Sequence, residues 1–421
     1  MVTGGRVIPI ASAIATNGPA PSFDDGQIRF ASLPPLSLYV HLPWCVRKCP
    51  YCDFNSHEAR GEPDYEAYVD ALIGDVESAL PLIWGRTVES IFLGGGTPSL
   101  IPVEALQRLM AAMRSRLSLR PGLEVTLEAN PGTVDAGRFA GYADAGVDRF
   151  SIGVQSFDSA LLGRLGRIHD GDDARRAVET ALRCVPRVNV DLMHALPGQS
   201  VAQAVADVRI ALDLGVGHVS AYQLTLEPNT AFATTPPDDL PDADRSADIA
   251  DAVEAELAAA HFEHYETSAH ARPGQRCIHN LNYWRFGDYL GIGAGAHGKL
   301  SFADRIVRHA RFRHPRTYLE RAAGRQPALP ERLFEASGTL ESSNSLTAEG
   351  LPFEFALNVL RLTEGFDPGL YPAHTGRPVV ELLQAIAPAI EERLLVAEAG
   401  RIRPTPLGRR HLNRVLEMLL P

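Results

Sequence analysis

A chain of 421 residues with 45% hydrophobic content is long enough for one large domain and a smaller one. Its net charge of −11, on 22% charged residues, argues against wholesale nucleic-acid binding, which wants a basic face, and favours solubility. Five cysteines are too few for a disulfide framework, and no apolar run approaches a membrane span.

Residues 1–35, rich in Pro, Ser, Gly and Ala, read as a flexible extension, whose short apolar patch lacks the longer core and basic start of a signal peptide. From residue 36 the pattern alternates. Strands are expected over 37–43, 88–96, 123–130, 147–155, 187–198 and 217–228. Helices are expected over 63–80, 102–117, 133–146, 158–165 with 171–184, 200–215 and 245–262. Six strand–helix units in sequence predict a parallel sheet with helices outside, and both a Rossmann-like open sheet and a barrel fit that count. Residues 234–244 read as a loop. After residue 300 the alternation fades, and 301–340 reads as a linker region. Over 341–421 the segments 350–365, 377–400 and 405–420 read as helices with a small wing at 395–403, a separate, mostly helical and winged-helix-like C-terminal domain.

Three cysteines fall within "HLPWCVRKCPYCDF" (41–54): Cys45, Cys49 and Cys52, spaced C-x3-C-x2-C. Incidental buried thiols are one reading. A structural zinc site is a second, but it normally takes four ligands as two separated pairs. An iron–sulfur cluster on three thiolates is the third, and it leaves one iron open to bind something else. Pro43 and Pro50 stiffen the loop, and Trp44, Tyr51 and Phe54 can shield a cluster from water.

"FLGGGTP" (92–98) places three glycines after an apolar strand, read either as an ordinary tight turn or as backbone that approaches a ligand closely. Polar residues recur near the strand ends: Glu128, Gln155, Asp191 and Tyr222, with Arg167 in the loop after the fourth strand. Each alone reads as surface or capping. Together with the cysteine loop they fall at strand C-terminal ends, the face where barrel active sites form, and this favours the barrel.

With these motifs the chain resembles the radical S-adenosylmethionine superfamily. More closely, "YVHLPWC", "GGGTPS", "GVQSF", "DLMHALPGQ" and "HNLNYW" resemble the oxygen-independent coproporphyrinogen III oxidase family, and within it the HemW-type heme chaperone branch. The resemblance is strong over 36–300 and looser beyond. It implies an α/β fold, a partial (β/α)6 barrel with its extension over 36–300. It implies a [4Fe–4S] cluster on Cys45, Cys49 and Cys52, and S-adenosylmethionine contacted by Tyr39, Gly94, Gly95, Gly96, Thr97, Glu128, Gln155, Arg167 and Asp191. An arginine suits a carboxylate, and a carboxylate suits a ribose hydroxyl or an ammonium.

For cargo the resemblance implies heme. In "HNLNYW" (279–284), His279 is a candidate iron ligand, and Tyr283 or Trp284 could pack on a porphyrin. A packed loop with a hydrogen-bonded histidine remains the alternative. His297 is a weaker ligand candidate, within the glycine-rich "GIGAGAHG" (291–298), which reads as a loop near the barrel mouth. Cys184 and Cys277 read as buried thiols, with a heme role left open for Cys277. The basic run 301–316 reads as a solvated face, with heme propionates or an acidic partner as alternatives. Phe54 stands where the oxidase branch carries a further cysteine, and this favours the chaperone over a radical decarboxylase acting on coproporphyrinogen III. The expected partners are recipient hemoproteins, including membrane-associated respiratory enzymes. The expected location is cytoplasmic, with peripheral contact at the inner membrane face. A homodimer is compatible with the sequence, and no catalytic residue is assigned.

Overall fold

In the computed structural model, residues 27–324 and 338–420 are described, so most of the extension expected over 1–35 lies outside the described residues. The chain divides into two compact units. Among the described residues, the larger takes those within 34–301 and 306–345, and the smaller takes 346–420 with 302–305 and 27–33.

The larger unit begins with β1 (Leu36–Leu42), β2 (Trp44–Cys45), β3 (His57–Glu58) and α1 (Tyr65–Ala79). It continues with β4 (Thr87–Gly95), α2 (Val103–Arg116), β5 (Ser118–Ala129), α3 (Ala136–Ala145), β6 (Arg149–Gln155), α4 (Ser159–Arg164) and α5 (Gly171–Cys184). Then come β7 (Arg187–His194), α6 (Val201–Asp213), β8 (His218–Gln223), α7 (Ala231–Thr234) and α8 (Ala243–Ala259). Each of these helices except α2 starts at a residue whose side chain caps it. Asp170 and Ser200 form reciprocal capping boxes with Asp173 and Gln203 at the starts of α5 and α6. Gly146, at φ 106°, ends α3 in the left-handed conformation that glycine adopts without strain. Strand β1 buries Leu36, Leu38, Val40 and Leu42, the near-continuous burial of a parallel strand covered on both faces.

Strand order decides between the two architectures the count allowed. Strands β1, β4, β5, β6, β7 and β8 lie side by side in chain order, all parallel. A doubly wound sheet reverses its order at a switch point; this one does not. It is the consecutive order of a (β/α)6 partial barrel. The sheet continues past both ends. β9 (Glu263–His264) and β10 (Ala269–Ala271) add antiparallel strands beyond β8. After α9 (Ile278–Trp284), β11 (Asp288–Ile292) pairs parallel with β1 on the other side.

The linker reading of 301–340 needs correction. β12 (His297–Ser301), β13 (Ile306–Arg311) and β14 (Leu340–Ser345) extend β11 antiparallel, with α10 (Pro315–Ala323) between the last two, completing a twelve-stranded sheet. The sequence concealed this flank because its strands are short and lack helical partners. β14 reads LESSNS, polar at nearly every position and almost wholly exposed, so it shows no alternation. Nor is the basic run all solvated face. Arg311 is buried, donating to Asp75 at 2.9 Å, and Tyr318 donates to the same carboxylate at 2.6 Å.

The smaller unit holds α11 (Leu351–Val359), α12 (Leu370–Thr375), α13 (Val379–Glu391), β15 (Leu395–Glu398), β16 (Arg401–Pro404), α14 (Pro406–Arg410) and α15 (Leu412–Glu417). Phe355, Phe366 and Tyr371 form an edge-on aromatic centre. The wing is the β15–β16 hairpin. The helix expected over 405–420 is two short ones.

Candidate functional site

The cysteine loop leaves the C-terminal end of β1 and is pinned at its base. β2 pairs with β3, His57 N–H donates to Pro43 O at 2.7 Å, and Ala59 N–H donates to Cys45 O at 2.9 Å. Trp44 is set edge-on against Tyr65 and Tyr68, with centroids 5.3 and 4.7 Å away. The glycine turn closes against this loop. Gly96 N–H donates to Leu42 O and Thr97 N–H to Trp44 O, both at 2.8 Å. A Cβ on Gly96 would stand 2.7 Å from the carbonyl oxygens of Pro43 and Trp44. The glycine at 96 thus lets the turn dock on the loop, while the same residue lines the cavity beside it. Gly95 sits at φ 123°, in the region that favours glycine.

Cys45, Cys49 and Cys52 are free thiols lining one cavity of about 150 Å³. Gly95, Gly96, Thr97, Glu128, Gln155, Arg167 and Asp191 line the same cavity. They meet because the register aligns neighbouring strand ends: Leu42 with Gly95, Glu128 with Ser151, Gly153 with Asp191. Gln155 closes β6 at φ 68°, a backbone conformation uncommon for a residue with a side chain. Of the residues expected at the cluster and cofactor, Tyr39 and Gly94 stand apart: Tyr39 lines a neighbouring cavity, and Gly94 backs onto the Tyr39 and Phe92 rings. Among the described residues, no three His, Cys, Asp or Glu side chains converge on a point that one metal ion could fill.

Charge in this cavity is set by burial and by a few hydrogen bonds. Burial pushes the Cys45 and Cys52 thiols up, opposed by the hydroxyls of Thr97 and Ser56. Arg167 donates to Cys49 Sγ at 3.4 Å and to Gly153 O at 2.8 Å. Burial works against its charge, but Tyr51 and Cys49 outweigh that and hold its pKa above the ordinary value. Glu128 accepts from Gly95 N–H at 3.1 Å. Burial, and then the neighbouring Asp191, push its pKa up to about 8. Burial also raises Asp191, against the donors Asn189 and Ser151 at 2.7 and 3.1 Å.

Two further cavities adjoin the first. One of about 400 Å³ is lined by Thr126, Arg149, Asn189, His218, Tyr222 and Cys277, among others. The other, about 710 Å³, is lined by Tyr39, Phe92, His279, Tyr283, Tyr289 and His297, among others. Glu128 and Phe54 line all three, and Phe54 is 61% exposed. Helix α9 supplies His279 and Tyr283. Trp284 does not line the cavity; it stands edge-on to Tyr283 at 4.9 Å. His279 Nδ1 lies 3.3 Å from Ser90 Oγ, and its ring is 5.0 Å from that of Phe92. Burial lowers its pKa to about 3, so it is neutral. Glu124, at the base of β5, accepts from the N–H groups of Ile278 at 2.8 Å and His279 at 3.3 Å and anchors the start of α9. Of the two further cysteines, Cys277 is buried and Cys184 half-buried.

Sequence reading missed Ser151, Phe92, Tyr289, Asn55 and Arg313 as walls. Ser151 was findable, since it alternates with Gly153 and Gln155 on one face of β6. The Asn55–Arg313 contact spans 258 positions, and no local signal announces it.

Residues 39–210 match the model of the radical SAM superfamily, and 346–411 that of the HemN C-terminal domain. The chain is 47% identical over 390 residues to the heme chaperone HemW of Escherichia coli, covering 92% of this chain and 99% of the relative. It is 43% identical to the heme chaperone HemW of Haemophilus influenzae, over 92% of this chain and 98% of the relative. Among solved structures, the coproporphyrinogen III oxidase (HemN) of Escherichia coli, a radical SAM enzyme, superposes with a TM-score of 0.75 at 21% identity. That match covers 92% of this chain and 90% of the other and shows the shared fold. The superfamily implies a [4Fe–4S] cluster and S-adenosylmethionine, and three free thiols facing an arginine, a glycine turn and two carboxyl groups in one cavity suit that pair. On this identity and coverage, the chain belongs to the HemW heme chaperone family of radical SAM proteins.

Proposed function

We propose that this chain binds heme and hands it to recipient hemoproteins, keeping a [4Fe–4S] cluster on Cys45, Cys49 and Cys52 with S-adenosylmethionine beside it. The observation that carries the reading is the 710 Å³ cavity, which joins His279 and Tyr283 of "HNLNYW" to the walls of the cysteine cavity through Phe54 and Glu128. Its volume falls within the roughly 300–1,000 Å³ of cofactor pockets. Tyr283 and Tyr289, 5.3 Å apart with their rings inclined at 61°, offer aromatic walls to a macrocycle. His279 is a neutral imidazole, the form that ligates iron.

When bound, a reduced cluster supplies an electron that can cleave S-adenosylmethionine. The protein's own residues hold and orient. Arg167 donates to the Cys49 sulfur, Glu128 and Asp191 present carboxyl groups to the cofactor cavity, and the loop docked on Gly96 fixes the thiols against the strand ends. Recipients would be respiratory hemoproteins, met from the cytoplasm at the inner membrane face; no described helix is long and apolar enough to cross a membrane. A homodimer fits the same proposal.

The test has two arms. Reconstituted chain incubated anaerobically with a reductant, S-adenosylmethionine and coproporphyrinogen III is expected to form no protoporphyrinogen; robust formation would make it an oxidase. Heme titration is expected to shift the Soret band, with the shift surviving loss of the cluster; absence of binding would end the chaperone reading. Cys49→Ala is expected to abolish the visible absorbance of the cluster, and its retention would refute the ligand assignment.

A further inference from the structure

Heme is an amphiphile, a flat apolar macrocycle carrying two carboxylates on one edge. The 710 Å³ cavity is divided in the same sense. Its inner wall is aromatic and deep: Phe92 stacks on Tyr39 at 6.3 Å, and His279 and Tyr289 are each 9% exposed. Its mouth is built from two loops stitched together. Asn55 Nδ2 donates to Ala294 O and to Arg313 O, both at 3.0 Å, which sets the tail of the cysteine loop beside residue 313. Lys48 folds across the same loop, its ammonium 3.3 Å from the carbonyls of Phe54 and Ser56. A relay joins wall to mouth: Tyr39 O–H donates to His41 Nδ1, and His41 Nε2–H donates to Asn55 O, each at 2.9 Å.

The fixed charges are few. The cavity histidines His41, His57, His279 and His297 are all pulled down by burial and are neutral near pH 7. Lys48 and Arg313, both exposed, are the basic side chains that line it. Of the carboxyl groups that line it, Glu128 is pushed up to about 8 and Asp53 sits exposed near the mouth. Of the basic run 301–316, only Arg313 lines this cavity, since Arg311 is occupied by Asp75.

We infer that the cavity takes heme macrocycle-first, with the ring against Tyr283 and Tyr289 and the propionates at the mouth on Lys48 and Arg313. This rests on the heme-carrier reading and adds to it an orientation and a ligand class, a tetrapyrrole that keeps free carboxylates. An ammonium or guanidinium bound to a carboxylate is among the stronger hydrogen-bonded pairs, and an edge held at the rim leaves the carboxylates where a recipient can reach them.

The experiment compares heme with its dimethyl ester, titrated into full-length, cluster-reconstituted chain. Wild type is expected to bind the ester more weakly than heme by up to about twenty-five-fold, a factor of up to about five for each carboxylate masked at an exposed cation. Arg313→Gln and Lys48→Gln are each expected to weaken heme up to about fivefold and leave the ester unchanged. Because Lys48 adjoins Cys49, cluster absorbance is followed throughout, and Arg313→Gln carries the test alone if Lys48→Gln disturbs the cluster. Equal affinity for heme and ester, or variants that hold heme as wild type does, would overturn the orientation while leaving heme carriage intact. A wild-type chain that takes up neither overturns both.

Discussion

At the scale of single residues, Arg167 and Glu128 carry the sharpest expectations. Arg167 aims a planar, bidentate fork at Cys49 Sγ and Gly153 O, a geometry that a lysine cannot copy. Arg167→Lys should therefore weaken iron retention about tenfold, as loss of an outer-shell donor commonly does, read as iron per chain after gel filtration. Glu128 makes stability depend on pH. Its folded pKa of about 8 lies above the ordinary 4.5, so between those values the folded chain holds a proton that the unfolded chain has released. Its contribution is full below pH 4.5 and lost as pH rises through 8, with a slope of up to about 1.4 kcal/mol per pH unit. Glu128→Gln keeps an acceptor for Gly95 N–H and removes the charge. Urea midpoints at pH 5 and pH 8 should fall more steeply for wild type than for the variant, and parallel curves would refute the assignment.

At the scale of elements, α9 shows how a short helix is aimed. Its Ile278 and His279 N–H groups end on Glu124, which is fully buried, accepts from Arg187 at 3.1 Å and lies 3.9 Å from Arg149. Glu124→Ala leaves two guanidinium groups without that carboxylate, and breaking a buried pair costs about 3–5 kcal/mol. Denaturant unfolding should show that loss, and heme titration should weaken with it because His279 is no longer fixed. The parallel elements were legible in sequence because apolar runs, capping residues and glycine stops all agree from β1 to α8. The antiparallel flank was not, since β14 is polar throughout and its pairing with β13 is long-range. The motif "HNLNYW" was legible as chemistry, but its helix and the exclusion of Trp284 from the cavity were decided by tertiary packing.

At the scale of the whole molecule, consecutive strand order places the cysteine loop, the glycine turn and the polar strand ends on one face, so three cavities share walls there. That convergence could be anticipated from strand–helix alternation. The larger cavity's mouth could not, because it joins residues around 48–57 to residue 313. The ends of the cysteine loop are secured by the β2–β3 pairing and by backbone hydrogen bonds to Pro43 and Cys45. Stripping the iron with a chelator should therefore lower the thermal midpoint, as loss of any ligand of the native state does, while far-UV circular dichroism below the transition stays unchanged. A cluster-free chain that loses its secondary structure would show that the metal folds the domain.

The placement of the tryptophans has a practical consequence. The chain has three, in three different surroundings. Trp44 is edge-on to Tyr65 and Tyr68 beside Cys45, Trp284 is edge-on to Tyr283 beside the larger cavity, and Trp84 is 85% exposed. Emission from the first should be quenched by iron–sulfur assembly and emission from the second by porphyrin uptake. Single Trp→Phe replacements would separate the signals, so that loading of cofactor and of cargo can be timed independently by fluorescence in one unlabelled sample.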